Sequence, residues 1–293
     1  MLQPFDDRDG FIWMNGSLRP WNDAKVHVLT HGLHYASSVF EGERAYNGVI
    51  FKGTQHSQRL HASAKYLDFT VPYSIDELNA AKAETMKAQG MTDCYLRAFA
   101  WRGAEAMGIS GTRSKIHVAI AAWAWPNFYG EERFKGVRLD IARWRRPDPA
   151  TAPCHAKAAG LYMICTISRN EAEYKGLSDA MMLDYRGYIA EATAANIFFV
   201  KEGKVHTPIA DCFLNGITRQ TVIGMLQAKG IEVVERHILP DELSSFEQCW
   251  LTGTAAEITP VAEIGTYKFT VGALCRDITK AYEDLVRGVS VSA

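Results

Sequence analysis

Residues 191–219 read EATAANIFFVKEGKVHTPIADCFLNGITR. Within them NIFFV and KVHTP are short apolar runs parted by a glycine turn, a pattern that predicts two strands. Gly216-Ile217-Thr218 then opens ITRQTVIGMLQAKG, which predicts a helix closed by Gly230. A helix N-terminus with a hydroxyl on its first turn suits an anion, because free backbone N–H groups and the helix dipole both favour negative charge. Glu191 and Asn196 lie just upstream. A carboxylate and a phosphate seat in one segment point to a phosphorylated organic cofactor rather than a metal.

Working outward, Asn15-Gly16 and Asn47-Gly48 each sit between apolar runs and read as hairpin turns. HSQRLHASAKYLDF (56–69) has helical apolar spacing, and Ser74-Ile75-Asp76-Glu77 reads as a capping box on a helix that Gly90 closes. CYLRAFAWRG and IHVAIAAWAW read as strands. The polar, turn-rich 126–136 is the expected linker. Beyond it VRLDIARW, AMMLDY, YIAEA, IEVVERHI and QCWLTG read as strands, and LYMICTISRNEAEYKG and GALCRDITKAYEDLVRG as helices. The expected architecture is α+β, with a smaller N-terminal domain (1–125), an interdomain loop (126–136) and a larger C-terminal domain (137–293). A cleft between domains is a common cofactor site.

Composition narrows the function classes. With 293 residues the chain can bury a sizeable core, and a formal net charge of −1 gives no electrostatic footprint for nucleic acid or anionic membrane. No apolar run is long enough to span a bilayer, and MLQPFDDRDG lacks the basic-then-apolar profile of a secretory signal. The six cysteines are scattered without a Cys-x-x-Cys pair and read as reduced thiols in a cytoplasmic enzyme.

There is no Gly-x-Gly-x-x-Gly, no phosphate-binding Gly-x-x-x-x-Gly-Lys and no Gly-x-Ser-x-Gly elbow. His27, His31 and His34 lie near Glu41, and a spacing of four could bind metal on a helix. The flanking KVHVLT reads as a strand, however, so structural histidines are the favoured reading. Lys157 lies among small residues in PCHAKAAGLY, where a flat ring could approach the backbone and an apolar setting would lower the amine's pKa. Taken singly it is a solvated loop lysine. Together with Glu191 it gains meaning, because pyridoxal phosphate chemistry needs a lysine and an acid that keeps the pyridine nitrogen protonated.

Glu191-Ala-Thr-Ala-Ala-Asn196-Ile-Phe, Val205-His-Thr207 and Leu214-Asn-Gly216-Ile217-Thr218-Arg219 together resemble the signature of class IV, or fold-type IV, pyridoxal-phosphate aminotransferases. The similarity runs from DGFIWMNG to the C-terminal helix. HGLHYASSVFEGERAY, HSQRLHASA, CYLRAFAWRGAEAMGI, KAAGLY and TGTAAEITPV follow in the family's order, most like the bacterial branched-chain enzymes. The resemblance implies the two-domain fold of the D-amino-acid aminotransferase type, with pyridoxal 5'-phosphate as cofactor. It implies that Lys157 forms the Schiff base, Glu191 pairs with the pyridine nitrogen and Tyr162 meets the ring oxygen. Arg59, Ile217, Thr218 and Thr254 would hold the phosphate, with Asn196, Leu214, Gly216 and Gly253 completing the cofactor site. The implied substrate pocket comprises Phe40, Gly42, Arg44, Tyr95, Arg97, Trp125, Phe128, Thr254 and Ala255. A partner subunit would close it with Tyr35, Met107 and Ile109, which implies a homodimer, with further assembly left open.

The D-amino-acid relatives trap the carboxylate with an Arg-x-His pair; aligning Arg102-Gly103 with theirs puts Met107 and Ile109 there, and neither can bind an anion. The resemblance therefore implies ping-pong transamination of L-leucine, L-isoleucine and L-valine with 2-oxoglutarate. A transaminase of altered scope, acting on D-amino acids or (R)-amines, or an aminodeoxychorismate lyase-like enzyme is the alternative. Three positions depart from the family: Glu43 in FEG-x-R, where a carboxylate beside Arg44 could pair with it, Phe128 for tyrosine and Leu161 for asparagine.

Overall fold

The computed structural model describes residues 3–125 and 135–289. The chain divides into two compact units: Met1–Trp125 with Ala156–Gly160, and Pro126–His155 with Leu161–Ala293. The short segment that carries Lys157 thus packs with the first unit. Most of the expected interdomain loop, and with it Phe128, lies outside the described residues.

The first unit is built on an antiparallel sheet. Strands β1 (Phe11–Met14) and β2 (Ser17–Pro20) form a hairpin, as do β4 (Glu43–Tyr46) and β5 (Val49–Ile50). Both loops are Asn-Gly with φ positive at each residue, 52° and 98° at Asn15-Gly16 and 50° and 82° at Asn47-Gly48. That twist matches the flanking strands, and asparagine and glycine tolerate it best. The long central strands β6 (Cys94–Arg102) and β7 (Ile116–Trp123) carry the sheet, and β3 (Ser38–Phe40) pairs along β6. Helices α2 (Gly53–Tyr66) and α3 (Ile75–Ala88) pack on each other. The Ser74 hydroxyl accepts the Glu77 N–H at 3.2 Å and the Glu77 carboxylate accepts the Ser74 N–H at 2.7 Å, which is the expected capping box. The 56–69 helix starts earlier than its apolar spacing suggests and stops at Tyr66, where Asp68 turns left-handed at φ 56°.

KVHVLT, expected as a strand, is irregular chain and turn that leads into the short helix α1 (His31–Tyr35). Its apolar residues face outward, Val26 and Val28 being 53% and 70% exposed, so no sheet neighbour rewards an extended conformation. The histidines bond separately: His27 Nδ1 accepts the Leu29 N–H, His31 lies against Ser37 and the Ile109 carbonyl, and His34 meets the Val28 carbonyl.

The second unit holds a mixed sheet. Its strands are β8 (Val137–Ile141), β9 (Asp179–Leu183), β10 (Ile189–Ala192), β11 (Asn196–Lys201), β12 (Lys204–Pro208), β13 (Val233–Arg236), β14 (Gln248–Gly253), β15 (Glu257–Ile264) and β16 (Tyr267–Lys268). Their order among the described residues is β10-β9-β8-β15-β14-β11-β12-β13, with β16 on β15. Leu139, Met181, Ile197, Phe199, Leu251 and Val261 fill one core cluster of this unit. β15 is absent from the expected strands because Pro260 interrupts its pattern, and a proline normally argues against a central strand. Here pairing with β8 begins one residue later, at Val261. Helices α4 (Met163–Tyr174), α5 (Ile217–Ala228) and α6 (Ala273–Val286) fall where apolar periodicity places them. No helix among the described residues is long and apolar enough to cross a membrane.

Candidate active site

The first unit gathers the cationic half of the expected site residues. The backbone of Lys157 is pinned on both sides: its N–H donates to Ser63 Oγ at 3.0 Å and its carbonyl accepts the Phe40 N–H at 3.1 Å. An isolated bridge between Val39 and Ala158 extends the contact along β3. The Lys157 ammonium lies 4.9 Å from the Phe40 ring centroid, and the Arg97 guanidinium 4.7 Å from the same ring. Burial, followed by the positive charges of Arg59 and Arg97, lowers the Lys157 amine from 10.5 to about 8, although Glu41 and Tyr95 work the other way. A lysine held this way reaches its neutral, nucleophilic form near physiological pH.

Tyr95 and Arg97 sit on β6, with Arg44 of β4 directly across from Tyr95. Arg97 Nη2 donates to the Tyr95 hydroxyl at 3.3 Å, and Trp125 lies 5.1 Å from Tyr95, ring to ring. A Cβ on Gly42 would collide with the Tyr95 hydroxyl, so only glycine lets the phenol take this place. Phe40, Gly42, Arg44, Arg59, Tyr95, Arg97, Trp125 and Lys157 are therefore linked through one sheet and the helix beside it.

Glu43 does not pair with Arg44. Successive side chains on a strand point to opposite faces, and Glu43 turns inward to meet Lys82 Nζ of α3 at 2.8 Å, with neither side chain more than 1% exposed. Lys82 also donates to Ser57 Oγ at 2.7 Å. The expectation of a Glu43–Arg44 contact is corrected accordingly.

Tyr35, Met107 and Ile109 lie at the surface of the first unit. Tyr35 and Ile109 are joined through His31, whose ring lies 4.7 Å from that of Tyr35 and whose Nε2 is 3.3 Å from the Ile109 carbonyl. All three side chains face outward, Ile109 to 85%.

In the second unit a β-bulge between Ile189 and Glu191 breaks the β10–β9 register. Bulges re-aim side chains, and Glu191 is left buried, with Arg146 Nε 3.3 Å from its carboxylate. Asn196 starts β11 and spends both ends of its amide: Nδ2 donates to Glu191 at 3.1 Å and to the Leu214 carbonyl at 3.0 Å, and Oδ1 accepts the Gly216 N–H at 3.1 Å. One buried side chain thus ties Glu191 to the start of α5. A Cβ on Gly216 would run into that Oδ1.

Gly216 caps α5 in extended conformation without a side-chain cap, and Thr218 is buried in the first turn. Helices leave their first N–H groups without intrahelical partners, so the start of α5 offers donors to an anion. Thr252 pairs with Asn196, which brings Gly253, Thr254 and Ala255 to the same end of the sheet. Tyr162 closes a 3-10 turn, Ala159–Tyr162, and stands at the N-terminus of α4 within electrostatic reach of Arg146.

Three neighbours of the expected site residues escape a reading of the sequence. Glu41 stands out there only for its closeness to histidines, yet it is the carboxylate that grips Arg59. His56 supports it from the same helix. Arg146, in the basic run RWRRP, carries no signal, because only the sheet brings it to Glu191.

The chain is similar to known proteins over most of its length. The family model for class IV amino-transferases matches residues 38–264. The branched-chain-amino-acid aminotransferase of Pseudomonas aeruginosa is 39% identical over 290 residues, covering 96% of this chain and 94% of that protein. Among solved structures, the branched-chain aminotransferase of the thermophilic archaeon Thermoproteus uzoniensis with norvaline superposes with a TM-score of 0.92 at 36% identity, covering 96% of each chain. The branched-chain amino acid aminotransferase of Thermobaculum terrenum in its PLP-form, or holo-form, superposes with a TM-score of 0.86 at 27% identity, covering 96% of this chain and 94% of that one. A match over most of the chain, on the fold and motifs described, means that the protein belongs to the class IV aminotransferase family.

Proposed function

We propose that the protein is a pyridoxal-phosphate-dependent aminotransferase that moves the amino group between L-leucine, L-isoleucine or L-valine and 2-oxoglutarate. The observation that carries this reading is Lys157, pinned through its backbone and shifted to about 8 by burial and by Arg59. Each unit carries groups that suit the cofactor: the first a softened lysine, the second a buried carboxylate at Glu191 and an uncapped helix start at Gly216. When bound, pyridoxal phosphate supplies an electron sink for the electrons of the substrate Cα–H bond.

The chain's own residues do the rest. Lys157 would hold the cofactor covalently, and its amine, once free, would accept the substrate's α-proton. Glu191, oriented by Arg146 and Asn196, would hold a proton on the pyridine nitrogen. Arg59, Ile217, Thr218 and Thr254 would bind the phosphate, and Tyr162 would donate to the ring oxygen. Asn196, Leu214, Gly216 and Gly253 shape this seat. Phe40, Gly42, Arg44, Tyr95, Arg97, Trp125, Thr254 and Ala255 would line the substrate pocket. Its aromatic rings suit a branched aliphatic side chain, and its arginines suit the distal carboxylate of glutamate. Because Glu43 is engaged by Lys82, it does not neutralise Arg44 and leaves the dicarboxylate reading intact.

The functional unit is a homodimer in which Tyr35, Met107 and Ile109 complete the partner's site, a reading supported by the outward-facing Leu33, Tyr35, Met107 and Ile109. All six cysteines are free and buried, which supports a cytoplasmic setting. Mixing the cofactor-loaded protein with single amino donors tests the assignment: L-leucine and L-glutamate should each discharge the visible cofactor band. If D-alanine discharges it and L-leucine does not, the pocket assignment is wrong.

A further inference from the structure

Glu41 follows β3, and its N–H donates to the Ala98 carbonyl at 2.7 Å, so its backbone is fixed to β6. Its side chain is wholly buried and accepts three short hydrogen bonds. Arg59 Nε donates to Oε1 at 2.7 Å, Arg59 Nη2 to Oε2 at 2.7 Å, and His56 Nδ1 lies 2.7 Å from Oε2. Side-on, two-point pairing of a guanidinium with a carboxylate fixes the plane as well as the position of the arginine. His56 and Arg59 stand three apart on α2 and so approach the carboxylate from one helix face.

We propose that Glu41 is a positioning residue that aims the Arg59 guanidinium at the cofactor phosphate and moderates its charge beside Lys157. The inference rests on the cofactor reading above and extends it to a residue outside the implied cofactor and substrate contacts. Burial works to raise the Glu41 carboxyl, but Arg59 and His56 outweigh it and hold the group ionised, well below the usual carboxylate range. Its negative charge is therefore a permanent part of the site. The charged and titratable groups facing it are His56 and Arg59 of α2, Glu43 of β4 and Lys157. Without Glu41, Arg59 would keep its charge but lose the two-point pairing that fixes its plane, and that charge would act on Lys157 without this counter-charge.

The test uses the full chain with pyridoxal phosphate, comparing wild type, Glu41→Gln, Arg59→Met and the double variant. Ser74→Ala serves as a control for general loss of stability. Glu41→Gln should weaken cofactor binding about tenfold or more, the scale of a lost charge-assisted hydrogen-bond pair. It should also shift the pH midpoint for cofactor capture downward, because Lys157 then feels Arg59 without its counter-charge. Ser74→Ala should move neither. The double variant should bind no more weakly than Arg59→Met alone, since Glu41 acts through Arg59.

Should Glu41→Gln fold poorly, Glu41→Asp keeps the charge while shortening its reach, and should retain the wild-type midpoint with intermediate affinity. Wild-type affinity and midpoint in Glu41→Gln, or a double variant that loses the sum of both effects, would overturn the proposal. A wild-type chain that captures no pyridoxal phosphate would overturn the functional reading, and this inference with it.

Discussion

At the scale of the residue, Lys157 makes the sharpest demands. Its amine titrates near 8 in the folded protein against an ordinary 10.5. The rate at which the cofactor-free protein captures pyridoxal phosphate should therefore rise with pH through about 8 and then level off, as stopped-flow absorbance would record. The same shift bears on stability. Between about 8 and 10.5 the unfolded chain holds a proton that the folded chain has released, so this group's contribution to stability rises with pH across that window. Denaturation of wild type and Lys157→Met across the window should show the wild type gaining relative to the variant. Lys157→Ala should lose transamination by at least about 10²–10⁴-fold, the usual worth of a positioned acid–base group. Borohydride should then leave no covalent adduct, and an adduct that persists would remove the assignment.

At the scale of the element, the start of α5 and the cap of α3 separate function from support. Gly216→Ala forces a Cβ against Asn196 Oδ1 and disturbs both Glu191 and the helix start. The strain should cost about 1–3 kcal/mol of stability and weaken cofactor binding, which a thermal melt and a cofactor titration would register together. Ser74→Ala removes half of a capping box on a helix that carries none of the implied site residues. It should cost about 1 kcal/mol and leave turnover per bound cofactor unchanged. The helices and hairpins were the legible elements, because capping boxes, glycine stops and Asn-Gly turns act over a few residues. KVHVLT and 257–264 were not. The first is apolar without a strand to bury it, and the second becomes a strand only because β14 and β8 flank it despite Pro260.

At the scale of the whole molecule, the exposed apolar residues around α1 and Ile109 ask for a cover. Ile109→Asp should shift the protein toward monomer in sedimentation and reduce its activity, if two copies meet there. An unchanged oligomeric state would place the interface elsewhere. Assembly of this kind depends on surfaces that periodicity cannot mark, since an isolated outward leucine or isoleucine is normal on any protein.

The amino-acid sequence by itself determined the cofactor chemistry and nominated Lys157, Glu191 and the Gly216-Ile217-Thr218 step as its bearers, because their signals lie in local motifs. It also determined most element identities, whose signals are short-range. Only the tertiary structure decided how those residues are supported. Glu41 grips Arg59 because β3 and α2 meet, Arg146 reaches Glu191 across a sheet, and Glu43 turns to Lys82 rather than to its chain neighbour Arg44. These contacts join residues distant in the chain, and burial in a medium of low polarity makes each carboxylate take the cation that packing brings to it.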